Sequence, residues 1–247
     1  KYWPADVQVI GKDNLRFHAA IWPGMLLAAK LPLPETVFVH GFLNVNGQKI
    51  SKTVGNVIDP VELVNKYGSA GSPQAGTDAV RFYLLREISP FEDGDFSYGK
   101  FEELYNAGLA NGLGNFSARV LALGERAGEL VFDANDPKTK EILAKAEETR
   151  KVVAGKIAEF KFHEAVAAIW GLISFGDAYV NNEKPWEAGK EKIITNAVVI
   201  LEHVADLLKP FLPETAKKIA ECVEVTGHNT LKVKKCPILF PRIEPHV

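Results

Sequence analysis

The sequence predicts an incomplete α/β unit at its amino end joined to an all-helical bundle, mostly α overall. Three observations carry this. Residues 1–60 hold two β-branched runs separated by one stretch of helical spacing. Everything after about residue 60 keeps a helical period. Gly, Pro and Asn punctuate that second part at the intervals of long helices.

The α/β part comes first. "DVQVIG" (6–11) reads as a buried strand ending at Gly11. "NLRFHAAIWPGMLLAAK" (14–30) has helical spacing, with Phe17, Ile21 and Leu27 near one face; Pro23 is expected to bend or break it. "TVFVHGFL" (36–43) is a second strand, rich in β-branched and aromatic residues. Strand, helix, strand is the unit of a parallel sheet. Parallel sheets need both faces covered, which two strands cannot supply, so these sixty residues read as the last part of a larger fold. Ligands of such sheets bind beyond the carboxyl ends of the strands, here "IGKD" and "HGFLNVNGQKISKT".

The helical part follows. In "DPVELVNKYG", Asp59 is the expected N-cap, Pro60 the first helical residue and Gly68 the stop. "SAGSPQAGT" (69–77) reads as a flexible surface stretch, followed by the helical "DAVRFYLLREI". Five amphipathic segments lie near 99–123, 137–160, 162–182, 187–208 and 213–223, the pattern of a helical bundle. The tail "TLKVKKCPILFPRIEPHV" is expected to pack as an extended strap. The chain thus divides into 1–60, a linking region 61–98, and a bundle with its strap, 99–247.

Composition narrows the function classes. Across 247 residues, 29 Lys and Arg stand against 31 Asp and Glu, a formal charge of -2. Any nucleic-acid contact must therefore come from a local patch. Cys222 and Cys236 lie fourteen apart with no CxxC pair, which argues against a zinc ribbon and against a disulfide scaffold. It suits a reducing compartment such as the cytoplasm. No residue cluster reads as a metal site, and no apolar run approaches the roughly 20 residues that span a bilayer.

Three patterns carry chemistry. "GQKISKT" (47–53) sets Lys49 and Lys52 around Ser51 in a glycine-rich loop, a solvated turn or a phosphate site with mobile point charges. In 99–123, Leu109, Leu113, Phe116, Val120 and Leu123 make a core stripe. Asn111, Asn115 and Arg119 form a second stripe at i, i+4 and i+8, either a solvated face or donors and acceptors for unpaired bases. Pro185 and Trp186 in "KPW" end a helix, where the indole either caps the core or offers a ring for stacking.

"KISKT" resembles the KMSKS signature of class I aminoacyl-tRNA synthetases, with Ile50 in place of Met and Thr53 in place of Ser. "GNVIDP" (55–60) continues it. Five further stretches are similar to methionyl-tRNA synthetases: "IGKDNLRFHAAIWPGML" (10–26), "RFYLLREISPFEDGDFS" (81–97), "LANGLGNFSAR" (109–119), "NNEKPWE" (181–187) and "LFPRIE" (239–244). The resemblance implies the end of a Rossmann-type catalytic domain, a stem-contact linking region and an anticodon-binding bundle. It implies ATP-dependent activation of methionine through methionyl-AMP, with Mg2+ accompanying ATP as substrate, and transfer to tRNA(Met) bearing CAU. Lys49 and Lys52 would then be the catalytic cations, with Asp13, Ser51 and Thr53 completing the ATP contacts. Asn14, His18, Ile21 and Trp22 would lie at the methionine pocket, and Asn111, Asn115, Arg119, Pro185 and Trp186 would read the anticodon.

Two departures stand out. Asn14 replaces a residue that is usually apolar in the family, and 69–77 is longer than the family's link. The family also needs a HIGH-type motif, which these residues lack. The amino-terminal part of the same enzyme is therefore an implied partner, and the 247 residues alone are expected not to activate methionine. The alternatives are a noncatalytic tRNA-binding or assembly module, or a related ligase for leucine or cysteine.

Overall fold

The computed structural model describes residues 3–51, 55–68, 73–187 and 189–244. Strands β1 (Val7–Gly11) and β2 (Thr36–His40) pair in parallel, with Val7 opposite Thr36 and Gly11 opposite His40. The crossover is one rod: a tight turn at Lys12–Asn14, a π-helical turn at Phe17–Ile21, then α1 (Trp22–Ala28). Pro23 does not break it. The turn just before the proline opens instead, so that the Trp22 N–H donates to the Phe17 carbonyl five residues back. This re-spaces the carbonyls that a proline ring otherwise strikes. Phe17, Ile21 and Leu27 do not make a core face: all three are exposed, and Leu26 is the rod's buried residue.

A second sheet joins the first sixty residues to the linking region. Its order is β4 (Gln48–Lys49), β3 (Leu43–Val45), β5 (Gly94–Phe96), with β3–β4 antiparallel and β3–β5 parallel. Asn46 and Gly47 form the hairpin turn at φ 50° and 72°, the left-handed pair that a two-residue hairpin loop requires. Asp59 caps α2 (Pro60–Tyr67) by accepting from the Val61 N–H at 2.7 Å. Helix α3 (Pro73–Glu87) starts inside the stretch expected to be a surface loop. Residues 73–77 are helical because Gly76 packs on the end of α2, where a Cβ would lie 2.0 Å from the Val64 carbonyl oxygen. Residues 69–72 lie outside the described residues.

The bundle begins with a second composite rod: α4 (Tyr98–Leu104), a π-helical stretch Tyr105–Gly114, and α5 (Asn115–Ala127). It continues with α6 (Pro137–Ala158), α7 (Phe162–Glu183), α8 (Glu191–Leu208) and α9 (Pro213–Cys222). Leu109, Leu113, Phe116 and Val120 are buried as the stripe predicts, and Leu123 packs against them half-buried. Among the described residues no helix is long and apolar enough to cross a membrane.

An antiparallel sheet β6 (Glu129–Val131), β8 (Thr230–Val233), β7 (Val223–Val225) closes the far side, and residues 234–244 run on as the strap. This sheet corrects the reading of the cysteines. Cys222 precedes β7 and Cys236 follows β8; the hairpin pairs Val223 with Val233 and bonds the Lys234 N–H to the Cys222 carbonyl. The two Cα atoms come to 5.7 Å and the sulfurs form a disulfide. A spacing of fourteen is set by hairpin length, which composition does not reveal.

A buried clamp holds α3 to the turn between α8 and α9. The fully buried Asp78 carboxylate accepts from the Thr215 N–H at 2.7 Å and its hydroxyl at 2.6 Å, capping α9 from 137 residues away. Arg81 donates to the carbonyls of Phe211 and Pro210 at 2.7 and 2.8 Å. Burial pushes the Asp78 pKa above its ordinary 3.8, against the pull of the Thr215 bonds. Asp78→Ala strands the Thr215 donors and is expected to cost about 1–3 kcal/mol in urea unfolding. Because the folded pKa is raised, the favourable protonated state is complete below pH 3.8 and is lost as pH climbs through the folded value. Wild type should therefore lose stability relative to Asp78→Asn across that window; parallel stability curves would contradict the assignment.

Candidate functional site

The carboxyl ends of β1 and β2 meet the lysine hairpin at Phe42. Lys12 Nζ sits 4.4 Å from the centre of its ring and Lys49 Nζ 4.9 Å, so one aromatic ring gathers two cations. Asp93 organises this junction. It accepts from the Phe42 N–H at 2.8 Å and pairs with Lys12 at 2.6 Å. The Lys12 ammonium first, then the Phe42 N–H, hold its carboxyl below the usual carboxylate range. Gly41 makes the approach possible, since a Cβ there would fall 2.0 Å from the Glu92 carbonyl oxygen.

The loop after Lys49 is tied by Asn56. Its Oδ1 accepts from the Ser51 N–H at 2.8 Å, its Nδ2 donates to the Lys49 carbonyl at 3.1 Å, and the Gly55 N–H donates to the Ser51 carbonyl. Ile50 and Ile58 bracket the loop and dip into one apolar cavity with Val45, Leu63, Tyr83 and Phe96. The loop is therefore anchored at both ends. Lys52 and Thr53, singled out from sequence, lie outside the described residues.

Asp13, Asn14, His18, Ile21 and Trp22 share the first rod. Asp13 and Asn14 follow Gly11 and are exposed, with Asn14 Nδ2 donating to Asp13 Oδ1 at 3.3 Å. His18 Nδ1 lies 3.1 Å from the Asn14 carbonyl oxygen. A carbonyl only accepts, so Nδ1 is the donor in this contact. His18 sits in the π-turn on an exposed rod, not on a buried helix. Ile21 is exposed and Trp22 half-buried, its ring edge-on to Trp3 at 6.0 Å.

At the other end of the molecule, the second rod presents Asn111 and Asn115 to solvent. Arg119 is not open to a passing phosphate. It forms an ion pair with Asp177 on α7 and donates to Asn181 Oδ1 at 2.6 Å, while Asn181 Nδ2 donates to Asp177 at 3.2 Å. The same α7 leads into the Pro185–Trp186 corner. Pro185 is buried and Trp186 is 56% exposed, so the indole does not cap the core. Asn111, Asn115 and Arg119 run along the second rod, while Pro185 and Trp186 lie beyond them, against Leu123 and Arg126 at the last turn of α5.

Family models match both parts of the chain: "tRNA synthetases class I (M)" over residues 1–121 and "Anticodon-binding domain of tRNA ligase" over residues 139–240. The methionine–tRNA ligase of Caldanaerobacter subterraneus subsp. tengcongensis is 36% identical over 99% of this chain, and that of Clostridium perfringens 39% over 99%. The chain belongs to the methionyl-tRNA synthetase family. Mycobacterium tuberculosis methionyl-tRNA synthetase in complex with methionyl-adenylate superposes at TM-score 0.85 with 32% identity, covering 98% of this chain and 51% of that one. The chain spans 41% and 40% of those two curated relatives.

Within a methionyl-tRNA synthetase framework, sequence reasoning missed Phe42, Asp93, Asn56, Asp177 and Asn181. Asn56 stands in the "GNVIDP" signature, and only the fold shows that it closes the loop. Phe42 and Asp93 are 51 residues apart, and the link between them appears only when β3 pairs with β5. Asn56→Ala removes the two bonds that its side chain makes within the loop and is expected to weaken its closure by about 1–2 kcal/mol. Hydrogen exchange at the Ser51 amide should quicken accordingly, while exchange in α5 and α7 stays unchanged.

Proposed function

We propose that the chain is the carboxyl-terminal share of a methionine–tRNA ligase, which joins methionine to tRNA(Met) through methionyl-AMP. Residues 1–60 act as the end of the catalytic domain, 61–98 as the stem-contact link and 99–247 as the anticodon-binding bundle. ATP enters with Mg2+, as substrate. Lys49 and Lys52 set positive charge against the triphosphate as charge develops at the leaving pyrophosphate, and Asp13, Ser51 and Thr53 complete its contacts. Asn14, His18, Ile21 and Trp22 flank the methionine.

The observation that carries the tRNA half is the exposed Trp186 on a buried Pro185, at the far end of the rod that carries Asn111, Asn115 and Arg119. A rigid, half-open indole offers a base a stacking partner, and the two amides offer donors and acceptors to base edges. The bases read are those of CAU. The names of the relatives favour methionine over leucine or cysteine.

Binding of an anticodon hairpin carrying CAU, against one with a single base changed, tests this reading. CAU should be preferred, and Trp186→Ala should weaken it by about 1–3 kcal/mol, the worth of one stacked base. Equal, salt-sensitive binding of both hairpins would reject anticodon recognition. The 247 residues by themselves lack a HIGH-type motif and are expected to give no methionine-dependent exchange of pyrophosphate into ATP; exchange by the pure polypeptide would refute that division of the site.

A further inference from the structure

Two carboxylates, Asp93 just before β5 and Asp95 on it, reach opposite ends of the lysine hairpin. Asp93 Oδ1 accepts from the Phe42 N–H at 2.8 Å, where the hairpin starts. Asp95 Oδ1 accepts from the Gly47 N–H at 2.7 Å, in the left-handed turn. Between these points β5 pairs with β3, Leu43 opposite Gly94 and Val45 opposite Phe96. The Gly94 N–H donates to the Phe42 carbonyl at 2.8 Å, and the Asn46 N–H to the Phe96 carbonyl at 3.0 Å. The hairpin that carries Lys49 is thus fastened at its base, its strand and its turn by one short run of residues. Gly94 lets that run pass, since a Cβ there would fall 2.5 Å from the Ile88 side chain. Asp93 makes a further contact: both its oxygens lie 2.6 Å from Lys12 Nζ, next to Asp13 at the end of β1.

We propose that Asp93 and Asp95 are positioning residues of the adenylation site, which hold Lys49 and Asp13 at a fixed spacing. The proposal rests on the ligase reading above. Neither carboxylate touches ATP in this account: Asp93 acts through Lys12 and Phe42, and Asp95 through Gly47. The reason is geometric. Lys49 stands on β4, a strand of two residues, and so short a hairpin is marginal by itself. Its direction is set by whatever bonds β3 and the turn. Backbone pairing does not tie it to Asp13, because β1 and β3 belong to different sheets. Asp93 supplies the tie, since it bonds Lys12 after β1 and Phe42 before β3. A carboxylate there would repel a triphosphate, and the Lys12 ammonium offsets that charge. The linking region thereby sets the geometry of the catalytic step from outside the parallel sheet.

The test is methionine-dependent exchange of pyrophosphate into ATP by the complete ligase. Wild type is compared with Asp93→Ala, Asp93→Asn, Asp95→Ala, Asp95→Asn and Glu87→Gln, the last breaking the Lys100–Glu87 ion pair of the same linking region. Asp93→Ala and Asp95→Ala should each lose about tenfold or more in kcat, and as much in kcat/KM for ATP, with KM for methionine unchanged. That is the pattern of a group misplaced in the transition state. Asp95→Asn keeps an acceptor for the Gly47 N–H and should recover most of the rate. Asp93→Asn keeps the Phe42 bond but loses the charge facing Lys12, so it should recover only part. Glu87→Gln should match wild type. Thermal unfolding accompanies every variant, and Asp93→Asn decides the case if the alanine variants fail to fold: wild-type kcat there would refute the role of Asp93. Wild-type kinetics in the two alanine variants would refute the proposal outright. A rise in both KM values in step with a fall in Tm would refute it too, as a general loosening of the fold. If the wild-type ligase gives no methionine-dependent exchange, the ligase reading fails and takes this inference with it.

Discussion

The structure depends on α7 as a spacer. At its start, Phe162 meets Phe38 of β2 edge-on at 6.2 Å, and Phe160 in the turn before it stacks flat on Phe38 at 4.5 Å. At its end stand Asp177, Asn181 and the Pro185–Trp186 corner. A helix of 22 residues is about 33 Å long. The parallel sheet and the Pro185–Trp186 corner are therefore held apart by a rod whose length is fixed by backbone hydrogen bonds. Its seat on the sheet is an aromatic cluster that includes Phe91, 5.9 Å from Phe38. Aromatic contacts of this kind are worth about 0.5–1.5 kcal/mol each beyond the area they bury, enough to orient two units that share little other core.

Charge is distributed with the same economy. The net charge is near zero, yet the lysines that matter are not left to wander. Lys12 is fixed by Asp93, and Lys12 and Lys49 both lie against the Phe42 ring. Among the described residues Asp93 balances Lys12, and Lys49 forms no ion pair. The opposite end repeats the logic, with Arg119 balanced by Asp177. An overall formal charge of -2 does not conflict with nucleic-acid binding when the positive charges are placed in this way.

Much of this was legible in the sequence, for identifiable reasons. The βαβ unit, the Asp59 cap and the five bundle segments were readable because each is a local pattern, set by period or by capping chemistry. The helical start of α3 at residues 73–77 was not, because its support is the close approach of Gly76 to the end of α2, a tertiary contact. The disulfide was hidden for the same kind of reason, since strand register brings Cys222 to Cys236. At the site, residue types and spacing left Lys49, Ser51, Asn111, Asn115 and Trp186 open between a solvated or structural role and a binding one, and the family resemblance gave them their expected roles. They could not show that Arg119 is already engaged, because Asp177 and Asn181 arrive from a helix about sixty positions away.

The wide helical turns explain why α5 can present a flat polar face at all. In the stretch Tyr105–Gly114 the backbone bonds reach five residues back, as when the Asn115 N–H donates to the Ala110 carbonyl. Such turns free some carbonyls from their usual partners and recur at functional sites. Here Trp170 Nε1 donates to the Gly108 carbonyl at 3.2 Å, and its ring lies 4.5 Å from Phe82. Gly108 has to be glycine, since a Cβ would come within 2.7 Å of Phe82. Trp170 is on α7, the same helix that holds Arg119 through Asp177 and Asn181. Helix α7 therefore grips the rod at two points, Gly108 below and Arg119 above, with Asn111 and Asn115 between them. Two grips fix both the height and the rotation of the intervening turn, and that rotation decides whether the amides face solvent or the core.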